Sequence, residues 1–257
     1  MPSRLSVGLR RRGRGLDVGT SGGIAAVTVD MRELPAIARQ AGADLEGASA
    51  LDVLRWADET FGSAWCVASS MADAVLPHLA AQVRPGVDVI FLDTGYHFPE
   101  TIGTRDAVAA TMPVTVHSIQ PRLTVAEQDA KFGAQLFARD PDRCCAMRKV
   151  APLAAALRPY QAWATGLRRD EAPTRASTRM VEWDATRSMV KLNPIAAWTQ
   201  PDVDAYMVEH HVLVNPLLFD GYGSVGCAPC TRRITSGEDA RAGRWAGTSK
   251  IECGLHG

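Results

Sequence analysis

Six cysteines, at positions 66, 144, 145, 227, 230 and 253, carry the first chemical signal in the chain. Cys144 and Cys145 are adjacent and directly follow Asp140-Pro141-Asp142-Arg143, at the predicted start of a helix. Neighbouring helix residues point in different directions, which is awkward for one ion but acceptable to a cage with separate iron corners. Cys227-Ala228-Pro229-Cys230 has the two-residue spacing shared by zinc and iron–sulfur sites. The two pairs supply four thiolates, best read as ligands of an iron–sulfur cluster. A structural zinc ion on the same four, or a redox dithiol at Cys227 and Cys230, stays open. Cys66 lies in the apolar run Ala64 to Ala68, where a cysteine packs as a small hydrophobe. Cys253 sits four residues from the end, between Glu252 and Gly254-Leu255-His256. A thiol on a mobile chain end can enter a site, take up a group and swing out again, which suits a nucleophile.

Strands alternating with helices must position these residues. Apolar periodicity predicts helices over Leu34 to Ala41 and Ala50 to Phe61, a strand at Ala64 to Ala68, and a helix over Met71 to Val83. A strand at Val87 to Leu92 follows, then a loop and a helix over Thr101 to Ala110. The pattern continues with a strand at Val114 to His117, a helix over Val125 to Phe132, a helix over Cys144 to Leu157 and a strand at Ala162 to Thr165. A last helix runs from beyond Pro201 through His210. Such alternation implies an α/β fold, a mostly parallel sheet with helices on both faces and an irregular cysteine-rich C-terminal segment. Ligands of such sheets bind at the carboxyl ends of the strands, where the loops after Ala68, Leu92 and Thr165 lie.

The 257 residues fit one sizeable domain, read as 31 to 257 with a mobile tail over 240 to 257. Residues 1 to 30, rich in Arg, Gly, Ser and Thr, read as a disordered extension or an overcalled start. Twenty-eight basic residues balance 28 acidic ones, so no global field points to nucleic acid or an anionic membrane. No apolar run is long enough to span a bilayer. A cytoplasmic protein is the default, and a homo-oligomer stays open.

At this point the residues resemble the assimilatory sulfonucleotide reductases, and within them the adenylyl-sulfate (APS) reductases. The resemblance rests on Cys144-Cys145 with Arg148-Lys149, Leu92-Asp-Thr-Gly-Tyr-His-Phe-Pro-Glu-Thr101, Thr165-Gly-Leu-Arg-Arg169, Gly226-Cys-Ala-Pro-Cys230 and Glu252-Cys-Gly-Leu-His256. It runs from about residue 60 to the end. It implies an adenine-nucleotide fold related to the ATP pyrophosphatases, a [4Fe-4S] cluster on Cys144, Cys145, Cys227 and Cys230, and Cys253 as catalytic nucleophile. It also implies adenylyl sulfate as substrate, AMP as product and a reduced dithiol protein such as thioredoxin as partner. Lys149, Arg241, Arg244 and His256 would then face the phosphosulfate, and Ser69, Thr94, Gly166 and Arg175 the nucleotide, with Arg168 a further cation. The chain departs from the family at Ser69-Ser70-Met71-Ala72-Asp73, where relatives carry a glycine-containing phosphate loop, so ATP splitting is not expected. Relatives that prefer the 3′-phosphorylated substrate commonly lack the four cluster cysteines, so 3′-phosphoadenylyl sulfate is the alternative substrate. A tRNA-thiolating enzyme or a zinc-stabilised binding module are the rival classes.

Overall fold

The structure, a computed structural model, describes residues 29–248 and 250–255. The expected extension, except Val29 and Asp30, and the expected phosphosulfate contact His256 lie outside the described residues. Val29 is already tied down: its N–H donates to Gln161 Oε1 at 3.1 Å, and its carbonyl accepts from Gln161 Nε2.

Six strands form one sheet in the order β3-β2-β1-β4-β6-β5. They are β1 (Trp65–Ala68), β2 (Val87–Leu92), β3 (Val114–Ile119), β4 (Ala162–Thr165), β5 (Val181–Asp184) and β6 (Met189–Leu192). The first four and β6 run parallel, as the helical crossovers require. β5 pairs antiparallel with β6. This hairpin is absent from the sequence reading; its strands are only four residues each, too short for a clear alternation to stand out.

Side chains in a strand alternate between faces, and here each face has its own core. Trp65 and Val67, Val87, Val89 and Phe91, Ala162 and Ala164, and Val190 and Leu192 enter the larger core. It is covered by α1 (Leu34–Asp44), α2 (Ala50–Phe61), α3 (Val75–Val83) and Val108 of α4 (Pro99–Thr111). The intervening Cys66, Ile90, Trp163 and Met189 form the smaller core with Leu153 and Leu157. Cys66 is fully buried there, as its apolar neighbours predict.

The predicted helix over residues 144 to 157 is a composite. α7 (Pro141–Cys145) opens it, a π-turn over Ala146–Val150 follows, and α8 (Ala151–Ala156) completes it. Asp140 caps α7 by accepting from Arg143 N–H at 3.0 Å, with Pro141 in the first turn. Ahead of it come α5 (Val125–Phe132) and α6 (Leu136–Arg139). Thr124 and Glu127 close a capping box on α5, which fixes where Gln128 faces. The last helix is α9 (Gln200–Glu209). Among the described residues no helix is long and apolar enough to cross a membrane.

Candidate active site

Ala68 is paired with Thr165, so Ser69 and Gly166 emerge side by side at the carboxyl end of the sheet. The chain winds from β1 outward through β2 to β3, then returns to β4 on the other side of β1. The crevice between Ser69 and Gly166 is therefore the topological switch point, the usual nucleotide position in such sheets. Gly166 is exposed, and a Cβ there would meet only Ile195 Cδ1, 3.9 Å away. Ser69 Oγ accepts from the Met71 N–H at 3.2 Å. Met71 is fully buried with φ +58°, a backbone region that costs a bulky residue strain and glycine nothing. The loop thus makes a glycine-type turn without a glycine. The helix expected from Met71 starts only at Val75, whose N–H donates to Asp73 Oδ1 at 3.0 Å.

The four paired cysteines line one recess, together with Tyr96, Lys149 and Trp245. Cys227 and Cys230 flank a short 3-10 turn. Ala228 N–H donates to Tyr96 O at 2.7 Å and Trp245 N–H to Cys230 O at 2.9 Å, fastening the turn to the β2–α4 loop and to the tail. Thr94, expected at the nucleotide, is fully buried with its hydroxyl 3.3 Å from Cys227 Sγ. Burial, followed by the charges of Cys145, Cys227 and Cys230, pushes the Cys144 thiol up to about 12. Burial and then Cys227 push Cys230 up to about 11. Unaided, these sulfurs resist ionising together; a cationic group among them would reverse that balance. Among the described residues no three His, Cys, Asp or Glu side chains converge on a single-ion site. Four thiols lining one recess are the donor set that an iron–sulfur cluster takes, so the residues present fit such a group.

Lys149 lies on the π-turn, where its charge interacts with Cys227, Cys253 and Cys145. Burial presses its pKa down, but these sulfurs more than offset burial and hold it above the ordinary lysine value. Arg244 shares the neighbourhood: its charge interacts with Cys253, Cys227 and Cys230, while burial and then Arg241 press its pKa down. Its guanidinium stacks on Trp245, 4.5 Å from the ring centroid, and donates to Val225 O at 3.2 Å. A Cβ on Gly226 would collide with it. Cys253 is half-buried beside this group.

Two expected anion-binding arginines are committed elsewhere. Arg175 donates to both oxygens of Glu252, at 2.8 and 3.0 Å, and also binds Glu171. The buried Arg168 donates to Gln200 Oε1 at 2.7 Å and lies 3.3 Å from Asp170, bracing the loop after β4. Arg241 reaches Ile251 O at 3.2 Å and Glu252 at 3.3 Å.

Arg148 belongs to the matched motif but has no assigned role in the sequence reading. It is buried, and its guanidinium donates to Thr94 O at 2.5 Å, Gln128 Oε1 at 3.0 Å and Leu123 O at 3.3 Å. Gly95 makes room for it; with φ +72°, a Cβ there would lie 3.1 Å from Arg148 Nη2. Arg148→Ala strands one buried carbonyl, one half-buried carbonyl and a buried amide, so a loss of roughly 2–4 kcal/mol of stability is expected, read as a lowered urea midpoint.

Residues 64–233 match the phosphoadenosine phosphosulfate reductase domain. The chain is 67% identical over 225 residues to the adenosine 5′-phosphosulfate reductase of Streptomyces coelicolor, covering 88% of this chain and 95% of that protein. It is 58% identical over 224 residues to the enzyme of the same name from Mycolicibacterium smegmatis, covering 87% and 95%. Its fold superposes on the crystal structure of a phosphoadenylyl-sulfate reductase from Candida auris with a TM-score of 0.65 at 25% identity, over 82% of this chain and 100% of that one. An FMN adenylyltransferase from Candida glabrata shares the fold alone, with a TM-score of 0.52 and 11% identity over 79% of this chain and 75% of that one.

Proposed function

The chain belongs to the phosphoadenosine phosphosulfate reductase family, and from that premise we propose that it reduces adenylyl sulfate to sulfite and AMP with Cys253 as nucleophile. The observation that carries the reading is the thiol of Cys253 within electrostatic reach of two cations, Lys149 and Arg244, the first of which lines the four-cysteine recess. The relatives named above as adenosine 5′-phosphosulfate reductases favour the substrate without a 3′-phosphate.

The adenosine end lies in the crevice at Ser69 and Gly166, and the sulfuryl end points toward Lys149 and Arg244. Their charges offset the repulsion between an anionic substrate and an approaching thiolate. Cys253 thiolate attacks the sulfur, a sulfur–sulfur bond forms and the bond to the phosphate oxygen breaks, releasing AMP and leaving a Cys253 thiosulfonate. A reduced dithiol protein such as thioredoxin then attacks the Cys253 sulfur and sulfite departs with the bonding pair. The partner's second thiol resolves the mixed disulfide, returning Cys253 as a thiolate and the partner as a disulfide. Cys144, Cys145, Cys227 and Cys230 would hold a [4Fe-4S] cluster, which supplies an electrostatic bias beside Lys149 and order in the tail.

Two measurements test this reading. Sulfite release with thioredoxin is expected to show a higher kcat/KM for adenylyl sulfate than for its 3′-phosphorylated analogue; the reverse order would replace the proposed substrate. Protein purified without oxygen is expected to contain about four iron and four sulfide per chain. Cys227→Ser should lose most of both, because Cys227 also holds the turn against Thr94 and Tyr96. Zinc in place of iron would overturn the cofactor.

A further inference from the structure

The segment carrying Cys253 is held by side chains on both sides of that residue. Glu252 takes the two-pronged bond from Arg175 and a third from Arg241. Arg187 donates to Leu255 O at 2.9 Å, and the Leu255 side chain packs on the smaller core. Lys250, itself only 8% exposed, pairs with Asp142, but that carboxylate is 83% exposed, and a contact to a carboxylate standing in water contributes little. The Arg175 and Glu252 side chains are only 12% and 27% exposed. A bidentate guanidinium–carboxylate contact of that kind is both stronger and better defined in direction. It is also the tether closest to the thiol, one residue away.

We infer that Glu252 is the positioning residue of the nucleophile: acting through Arg175, it holds Cys253 beside Lys149 and Arg244, and its detachment frees the sulfonated thiol for the dithiol partner. The inference rests on Cys253 being the nucleophile proposed above. A carboxylate next to an attacking thiolate would by itself disfavour the anion and repel the substrate. Two arginines cancel that charge, which leaves Glu252 its mechanical role. Among the described residues, the Arg175 guanidinium is bonded by the carboxylates of Glu171 and Glu252.

The test uses the iron-loaded full chain and reads three rates. In the resting protein without nucleotide, alkylation of Cys253 by iodoacetamide, followed on its peptide by mass spectrometry, is expected to rise about tenfold in Glu252→Gln and in Arg175→Gln. The double variant, Glu252→Gln with Arg175→Gln, should be alkylated no faster than either single variant, as the two ends of one tether require. With adenylyl sulfate and no reductant, Glu252→Gln should slow formation of the Cys253 adduct by a similar factor. Dithiol-driven release of sulfite from adduct already formed should not slow. Wild-type alkylation in Glu252→Gln, or equal slowing of both half-reactions, would overturn the assignment. If the wild type forms no adduct while Glu252→Gln is still alkylated faster, the tether stands and the nucleophile reading falls.

Discussion

Cys253→Ser is expected to bring sulfite release down to background, a loss of at least about three orders of magnitude, with iron content and visible absorbance unchanged. A serine hydroxyl is not ionised near neutral pH; among the described residues the charges acting on Cys253 include the cations Lys149 and Arg244, and the adjacent Glu252 carboxylate is already bonded by Arg175 and Arg241. Even a sulfate ester formed on serine would be a dead end, because a partner thiol would have to displace sulfite from oxygen instead of sulfur. The visible absorbance should survive because the four recess cysteines are other residues. Intact-protein mass spectrometry checks the step directly. Wild-type protein mixed with adenylyl sulfate alone should gain one SO3 group, and Cys253→Ser none. Retained turnover in the variant would remove Cys253 from the mechanism.

Lys149→Ala is expected to lower kcat/KM by about 10²- to 10³-fold, the usual effect of deleting a charge aimed at a developing anion in a partly closed site. Lys149→Arg should recover part of this, because the charge returns with a different reach and shape. The pH dependence reports on the amine. The Lys149 pKa is held above its ordinary 10.5 by the neighbouring sulfurs against the pull of burial. It therefore stays cationic through neutral pH and loses its charge only on the alkaline side. The rate is then expected to hold through neutral pH and to fall on the alkaline side, and Lys149→Arg should move that fall to higher pH. An alkaline fall that stayed in place in Lys149→Arg would contradict the assignment.

Much of the frame was legible because it rests on short-range rules. α2 and α5, β2 and β4 have the bounds that apolar periodicity predicts. Cys144, Cys145, Cys227 and Cys230 could be grouped from pair spacing alone, and the structure brings all four to one recess. What could not be read depends on side chains meeting across long separations. Nothing local to Arg175 points to Glu252, 77 positions on, and the nucleotide contact expected of it came from the resemblance alone. Thr94 reads as a loop hydroxyl, and only the packing of the 227–230 turn places it against a sulfur. The late start of α3 is a third case: apolar residues from Met71 onward predict helix, while the Asp73 side chain and the left-handed Met71 delay it.

The wide turn at Ala146–Val150 has a further consequence for how the two ends of its helix are aimed. Downstream, Leu153 and Leu157 are fixed in the smaller core; upstream, α7 carries two thiols into the recess. One residue of α-helix corresponds to a rotation of about 100°. A chain one residue shorter between those anchors could still wind a continuous, well-packed helix, yet Cys144 and Cys145 would be turned away by more than a quarter revolution. Length here matters as much as identity: conservative replacements within 146–150 leave the thiols aimed where they are, and a single deletion does not.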